Sequence, residues 1–200
     1  MIKNYIFDFG NVLANFYPDK LTEPFVEDKE KYISEIVFDR IYWDRLDEGT
    51  ITEDEVKSAI RERLPKETGD RACKVFDNWI NTITPVKNMK ELICDIHKSG
   101  KKLYLLSNIS IRFANSYNEV EWIKELFEYF DGLVFSGPIG LVKPGKEIFE
   151  HLLGKYDLKA DECLFIDDNE KNIEGAKAVG INGYLFDGDA TKLREYIGIF

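Results

Sequence analysis

Five short, unbroken apolar runs constrain the fold of this chain more than any other feature of its sequence. The runs lie at residues 5–7, 103–106, 133–135, 163–166 and 184–186. An unbroken run, rather than one that alternates with polar residues, is typical of a parallel strand covered on both faces. Between the runs, apolar residues recur at helical spacing in the segments 86–96, 148–156 and 173–179. Strands that alternate with helices predict an α/β fold with a doubly wound, Rossmann-like parallel sheet.

One long interval interrupts this alternation. Between the first strand and Pro85 there is no convincing strand pattern, although a strand-to-helix connection usually needs only a few residues. Thr52 with Glu55 three residues later matches a helix-capping box. The other predicted helix boundaries are at Pro18, Gly49-Thr50 and Pro65. We therefore predict that residues 1–15 and 85–200 form the α/β core and that residues 16–84 form an inserted helical cap.

Composition and charge disfavour several classes of protein. The chain carries 27 basic and 37 acidic residues, for a formal net charge of −10, which opposes the counterion displacement that nucleic-acid binding requires. No apolar run approaches the roughly 20 residues that cross a bilayer, and the amino terminus lacks the features of a signal peptide. The three cysteines form no CxxC pair, so neither a disulfide framework nor a zinc site is indicated. We expect a cytoplasmic protein without nucleic-acid or membrane partners, and the sequence leaves its oligomeric state open.

Polar residues follow three of the predicted strands at the edge where ligands of open α/β sheets bind. Asp8 comes directly after the first strand, Ser107 and Asn108 end the second, and Lys143 precedes Pro144 after the third. A carboxylate there can be a nucleophile, whereas a hydroxyl, an amide and an ammonium suit phosphate oxygens. Taken singly, each feature has a simpler interpretation as a turn, a helix cap or a solvated lysine.

Two adjacent carboxylates, Asp167 and Asp168, end a fourth apolar run. Unpaired carboxylates are costly beside an apolar core, and a hard divalent cation would relieve that cost. Mg²⁺ prefers one or two protein carboxylates and keeps its other positions for water and phosphate oxygens. Asn172 falls on the same face of the following helix as Asp168. Helix capping by Asp168 or Asn169 is the alternative, and it explains one acidic residue but not both.

Together these four motifs resemble those of the haloacid dehalogenase (HAD) superfamily, in the subgroup with a helical cap inserted after the first strand. The resemblance covers essentially the whole chain. Residues 43–52 also resemble the cap of small sugar-phosphate phosphatase-like members, and Asp8-Phe9-Gly10-Asn11 is similar to the corresponding motif of glucose-1-phosphate phosphatase-like members. The resemblance implies a hydrolase that removes phosphate from a small phosphorylated metabolite.

The resemblance also implies a role for each motif residue. Asp8 would be the nucleophile that forms an aspartyl-phosphate, and Lys143 would neutralise charge between it and the phosphate. Ser107 and Asn108, together with Lys143, would bind phosphoryl oxygens. The Mg²⁺ cofactor would be held by the carboxylates of Asp8 and Asp168 and the backbone carbonyl of Gly10, with Asp167 acting directly or through a metal-bound water.

The chain departs from the superfamily pattern at Gly10. Most phosphatases of the superfamily carry there a second aspartate that serves as general acid and base, a function typically worth about 10²–10⁴-fold in rate. The explanation we favour from the sequence is a good leaving group, as in a sugar 1-phosphate. Otherwise a cap residue replaces the acid, or the activity is weak or absent. The candidate cap residues are Asp44, Asp47 and Glu48.

Two other functions remain open from the sequence. One is a metal-independent 2-haloacid dehalogenase, which has the same nucleophile but no use for Asp167 and Asp168 as metal ligands. The other is a binding or regulatory protein that keeps the fold without turnover. The cap sets the substrate, and its aromatic residues either line the pocket or, as burial preference favours, form the core of the cap itself. These aromatic residues are Phe16, Tyr17, Tyr42 and Trp43.

Overall fold

A five-stranded parallel sheet forms the centre of the structure. The computed structural model describes residues 1–23 and 32–199. Numbered in chain order, the strands of this sheet are β1 (Asn4–Phe7), β4 (Lys102–Ser107), β5 (Gly132–Phe135), β6 (Cys163–Asp167) and β7 (Asn182–Leu185). Their order across the sheet is β5-β4-β1-β6-β7, and every neighbouring pair is parallel. The predicted α/β fold with a Rossmann-like parallel sheet is therefore confirmed.

Each of the five apolar runs corresponds to one of these strands, and only the last is displaced. The run at 184–186 predicts a strand that starts two residues after the observed start of β7. The neighbouring strand β6 decides where β7 ends, because its last residue, Asp167, pairs with Leu185. Phe186 then adds a final hydrogen bond from its N–H to the carbonyl of Asp167, at 2.9 Å.

The central strands of the sheet are covered on both faces, which explains their unbroken apolar runs. Ile6 and Phe7 are neighbours in β1 and both are fully buried, yet Phe7 packs in the larger of two hydrophobic clusters and Ile6 in the other. Leu105 and Leu106 in β4 divide between the clusters in the same way. Successive side chains of a strand point to opposite faces, so both need to be apolar when both faces are buried.

The helices that flank the sheet include the three that the sequence predicts. The flanking helices are α6 (Met89–Lys98), α7 (Ile111–Ser116), α8 (Glu121–Phe127), α9 (Ser136–Ile139), α10 (Lys146–Lys155), α11 (Glu170–Ala178) and α12 (Ala190–Ile197). The apolar stripes at 86–96, 148–156 and 173–179 correspond to α6, α10 and α11, so these predictions are confirmed. None of the described helices is long and apolar enough to cross a membrane.

The interval between β1 and Pro85 is mainly helical, as predicted. It contains α1 (Pro18–Thr22), α2 (Tyr32–Val37), α3 (Arg40–Asp47), α4 (Glu53–Arg63) and α5 (Lys66–Thr82). The capping box is confirmed, because the Thr52 hydroxyl accepts from the Glu55 N–H and the Glu55 carboxylate accepts from the Thr52 N–H. Residues 24–31 of the predicted cap lie outside the described residues, and the division into core and cap stays our interpretation.

A short antiparallel ribbon joins the helical insertion to the rest of the chain. Strand β2 (Ala14–Asn15) pairs with β3 (Thr84–Pro85). The Asn15 side-chain amide also donates to the Pro85 carbonyl, at 3.0 Å. Strands of two residues are too short to produce a hydrophobic period. The expectation that this interval lacks strands is therefore wrong at both of its ends.

The turn between α3 and α4 packs directly against the core. The Ser136 hydroxyl donates to the backbone carbonyl of Asp47, at 2.6 Å. Gly49 has a φ of +69°, and a Cβ atom there would overlap the carbonyl oxygen of Gly137. A left-handed conformation and a close backbone approach both require glycine, so this contact fixes how the turn sits on the core.

Gly49→Ala is expected to destabilise the protein by about 2 kcal/mol or more, because the added methyl group meets backbone atoms and the positive φ becomes strained. Chemical denaturation measures the change. Gly154→Ala is the matched control, since Gly154 lies in α10 with no atom within 4 Å of the position of a Cβ. That variant should gain roughly 0.5–1 kcal/mol from helix propensity. Equal effects of the two substitutions would contradict the assigned contact.

Candidate active site

The predicted site residues meet at one edge of the sheet. Asp8 follows β1, Ser107 ends β4 and Asp167 ends β6, and these three strands are neighbours with β1 in the middle. Because the strands are parallel, their carboxyl ends lie at the same edge. Lys143 reaches this edge from the segment between α9 and α10, and Asp168 follows directly after β6.

Lys143 is a buried cation held between two carboxylates. Its Nζ lies 2.7 Å from Asp8 Oδ1 and 2.7 Å from Asp167 Oδ2, and the residue is 4% exposed. Burial alone would lower the pKa of Lys143, but the two carboxylates outweigh that effect and raise it. The ammonium therefore stays charged. The interpretation of Lys143 as a solvated surface lysine is wrong.

The Asn108 side chain positions the backbone of Lys143. Its Oδ1 accepts from the Lys143 N–H at 2.8 Å, and its Nδ2 donates to the Lys143 carbonyl at 2.9 Å. This pair of bonds ties the end of β4 to the segment that carries the lysine. Phosphate binding by Asn108 stays a prediction. The contacts observed for its side-chain amide are those that position the backbone of Lys143. Ser107 is 2% exposed and lines the same cavity as Asp8.

Asp167 is fully buried, and both of its oxygens accept hydrogen bonds. Besides the contact with Lys143, Asp167 Oδ1 accepts from the Asn169 N–H at 2.8 Å. The Asn172 amide lies 3.1 Å from both carboxylate oxygens. Asn172, noted in the sequence for its helical face, thus orients Asp167. These contacts make Asp167 chiefly a counter-ion of Lys143.

Three carboxylates at this edge could hold a cation. Oxygen atoms of Asp8, Asp167 and Asp168 lie within 4.8 Å of one another, and only oxygen ligands are offered, as Mg²⁺ prefers. Burial raises the pKa of Asp8 to about 7 despite the attraction of Lys143, and burial also raises the pKa of Asp168. The ammonium of Lys143 offsets one of the three negative charges of the cluster, and a divalent cation would offset the rest. The residues fit the implied metal.

The turn after Asp8 links the carboxylates to the helical insertion. Asn11 has a φ of 54°, a left-handed conformation that asparagine adopts more readily than most residues. Its Nδ2 donates to Asp168 Oδ2 at 3.2 Å, and its Oδ1 accepts from the Phe16 N–H at 3.0 Å. Gly10 lies in the same turn and lines the cavity. The sequence pattern alone indicates no such role for Asn11.

The site opens into a cavity of about 480 Å³ that is lined by both the sheet edge and the insertion. Phe16, Trp43 and Trp79 line it and pack on one another, with the Trp43 ring 5.8 Å from Phe16 and 5.5 Å from Trp79. These rings therefore serve both as pocket wall and as part of the hydrophobic core. Tyr17 is instead 50% exposed, and Tyr42 packs against the core.

Trp79 and Arg40 also line this cavity, and neither is predicted from the sequence. Trp79 belongs to the apolar stripe of α5, so its pattern indicated only a buried residue. Arg40 stands at the start of α3 and pairs with Asp44 at 2.8 Å. The sequence offers no signal that either would reach the cavity, because both come from the insertion, whose packing on the sheet is a tertiary property.

All three candidate acids of the insertion line the cavity, but their environments differ. Asp44 is exposed and forms the ion pair with Arg40. Glu48 is partly exposed and accepts a long hydrogen bond from the Thr50 hydroxyl, at 3.4 Å. Asp47 is 9% exposed, and burial raises its pKa to about 8.

Comparison with known proteins gives matches over nearly the whole chain. A family model for haloacid dehalogenase-like hydrolases matches residues 2–180. The chain is 28% identical to sesquiterpene phosphatase astK of Aspergillus oryzae, over 98% of this chain and 97% of that protein. It is 29% identical to a D-ribitol-5-phosphate phosphatase of Bacteroides thetaiotaomicron, over 98% of this chain and 97% of that protein.

A solved structure also matches over nearly the full length of both chains. It is a HAD family enzyme of Bacteroides thetaiotaomicron in complex with magnesium and inorganic phosphate, with a TM-score of 0.74 and 25% identity. The match covers 96% of this chain and 99% of the other.

Addition of Mg²⁺ is expected to raise the melting temperature, because the cation binds the folded carboxylate cluster. At a Mg²⁺ concentration of about 100 times its dissociation constant, the free energy of unfolding rises by roughly 2.7 kcal/mol. For a chain of this size that corresponds to a rise of about 5–10 °C in melting temperature. Asp168→Asn should remove most of this shift. Asp161→Asn changes an exposed aspartate outside the cluster and should leave it intact. An equal Mg²⁺ shift in both variants would count against the assigned site.

Proposed function

The chain belongs to the haloacid dehalogenase-like hydrolase family, and we propose that it is a Mg²⁺-dependent phosphatase of small phosphate monoesters. The resemblance inferred from the four motifs is confirmed by the family match, and so is the prediction of a hydrolase. Phosphatases among the relatives that match over nearly their full length support phosphatase activity. The observation that carries the proposal is the buried Asp8–Lys143–Asp167 cluster beside Asp168 at the floor of the cavity.

In this proposal Asp8 is the nucleophile. Lys143 binds Asp8 Oδ1 and so leaves Oδ2 to attack phosphorus. The bond from phosphorus to the ester oxygen breaks, its electron pair leaves with that oxygen, and an aspartyl-phosphate remains. Water then attacks the phosphorus. The bond between phosphorus and the Asp8 oxygen breaks, and its electron pair returns to the Asp8 carboxylate. Phosphoryl transfer depends mainly on positioning and charge neutralisation, which the ammonium of Lys143 and the hydroxyl of Ser107 supply.

The residues that would hold Mg²⁺ are the carboxylates of Asp8 and Asp168 and the backbone carbonyl of Gly10. The hydrogen bonds of Asp167 with Lys143, Asn169 and Asn172 favour a contact through water over direct ligation for that residue. When bound, the cation would neutralise charge on the phosphoryl oxygens and reduce their repulsion of the Asp8 carboxylate.

The cavity limits the substrate to a small organic phosphate. Its volume of about 480 Å³ suits a metabolite rather than a polymer. The wall formed by Phe16, Trp43 and Trp79 can pack against the apolar face of a sugar or against a hydrocarbon. Relatives act on both kinds of molecule, since one is a D-ribitol-5-phosphate phosphatase and another a sesquiterpene phosphatase. We propose a small sugar or polyol phosphate, because Arg40 and Asp44 add polar groups to the rim.

The purified protein is expected to release phosphate from p-nitrophenyl phosphate and from members of a panel of sugar, polyol and isoprenoid phosphates. Activity should require Mg²⁺ and disappear with EDTA. Asp8→Asn should lower the rate by at least about 10³-fold, because it removes the nucleophile. Phosphate release is measured colorimetrically, with Asp161→Asn as the matched control.

Two outcomes would replace this proposal by another function. Release of halide from 2-haloacids in the presence of EDTA indicates a dehalogenase. Binding of the phosphate analogue BeF₃⁻ without turnover of any ester indicates a binding or regulatory protein.

A further inference from the structure

Among the described residues that line the cavity, no carboxyl group of the core is left to serve as a general acid under the proposed function. Gly10 stands where most phosphatases of the family carry the acid. The core carboxylates have other tasks under the proposed function: Asp8 attacks phosphorus, Asp168 holds the cation, and Asp167 is bound to Lys143 and two other donors. The remaining carboxyl groups that line the cavity in the described structure are Asp44, Asp47 and Glu48, all from the insertion.

The side of the cavity that faces the insertion is the side where an acid is needed. In phosphoryl transfer the attacking and leaving oxygens are roughly in line across phosphorus. Asp8 attacks from the sheet edge, so the leaving oxygen points away from the sheet. The water that later attacks the aspartyl-phosphate approaches from the same side. One carboxyl group on the insertion can therefore serve both steps.

Asp47 is the candidate whose position is fixed relative to the core. Its backbone carbonyl accepts from the Ser136 hydroxyl at 2.6 Å, and this hydroxyl oxygen also accepts from the Ile109 N–H at 2.8 Å. Ile109 lies two residues after Ser107, in the loop that borders the phosphate site. The close approach of Gly49 to Gly137 holds the next residues of the same turn. Asp47 is thus attached to the loop beside the predicted phosphate-binding residues.

The surroundings of Asp47 favour a protonated carboxyl group. Burial raises its pKa to about 8, Asp44 and Asp8 add to this effect, and Arg40 and Lys143 oppose it. Among the described residues its carboxyl group forms no ion pair, whereas Asp44 pairs with Arg40. A neutral carboxyl group in a cavity is suited to donate a proton near neutral pH.

We propose that Asp47 is the general acid and base of this site, a conclusion that rests on the proposed phosphatase function. Its proton passes to the leaving oxygen as the electron pair of the phosphorus–oxygen bond departs with that oxygen. The resulting Asp47 carboxylate then takes a proton from water as the water oxygen bonds to phosphorus. The Asp8–phosphorus bond breaks, Asp8 recovers its carboxylate, and Asp47 is protonated again.

The test compares leaving groups. We would measure kcat/KM with Mg²⁺ for p-nitrophenyl phosphate, whose leaving group needs no proton, and for the best alkyl, sugar or polyol ester of the panel. Asp47→Asn should lose about 10²–10⁴-fold on the second ester and less than about tenfold on p-nitrophenyl phosphate. Asp54→Asn removes an exposed carboxylate of the insertion that does not line the cavity and should keep the wild-type ratio between the two esters.

The outcomes separate this proposal from the one on which it depends. An active wild-type protein whose Asp47→Asn variant loses the same factor on both esters would show that Asp47 is only a positioning residue. Full activity of Asp47→Asn on the alkyl, sugar or polyol ester would also overturn the proposal. Absence of any turnover by the wild-type protein would overturn the phosphatase function and the role of Asp47 with it. The Mg²⁺-dependent rise in melting temperature checks that each variant is folded.

The pH dependence gives a second readout. Wild-type kcat/KM for the alkyl ester should fall as pH rises above about 8, whereas Asp47→Asn should lack this fall. The folded-state pKa of Asp47 lies above its unfolded value near 3.9, so the wild-type protein loses stability as pH rises through that window. The melting temperature of Asp47→Asn relative to wild type should therefore increase between about pH 4 and pH 8. A difference in melting temperature that does not change with pH would contradict a buried, neutral carboxyl group at Asp47.

Discussion

The buried ammonium of Lys143 is the constraint on which the rest of the site depends. Three carboxylates meet at the end of the sheet, and without a cation between Asp8 and Asp167 their burial would be unfavourable. The two contacts of 2.7 Å hold Asp8 in one orientation. Because loss of one partner of a buried ion pair costs about 3–5 kcal/mol, the same contacts that prepare the site also stabilise this edge of the sheet.

A shell of amide side chains maintains that arrangement. Asn108 accepts from the N–H of Lys143 and donates to its carbonyl, and Asn172 donates to both oxygens of Asp167. Asn11 connects Asp168 to the start of the insertion. The amides of Asn11 and Asn108 both donate and accept, which a carboxylate or an ammonium cannot do, whereas the Asn172 amide donates to Asp167. The reacting groups are therefore oriented by neutral residues that add no charge to an already acidic site.

The insertion completes the site from the other side. It supplies the aromatic wall with Trp43 and Trp79 and the carboxyl group of Asp47, and it meets the core at Ser136 and Gly137. This contact joins the insertion to the start of α9, directly after β5, and through the Ser136 hydroxyl to Ile109 in the loop after β4. Under the proposed function, the core would provide the nucleophile and the charges that bind phosphate, while the insertion would surround the organic part of the substrate.

The sequence by itself determined the five strands of the parallel sheet, three of the helices between them, the helical insertion and the strand-end motifs, because burial on two faces and helix caps leave local patterns. It also placed Asp8 and Asp168 at one edge, since parallel strands end together. It could not show that Asn108 holds Lys143, that Trp79 reaches the cavity, or which of the three cap acids is buried. The tertiary structure decided these points, because the surroundings of Asp47 come from Ser136 and Gly137, residues that lie far away in the chain and meet it only after the insertion has packed on the sheet.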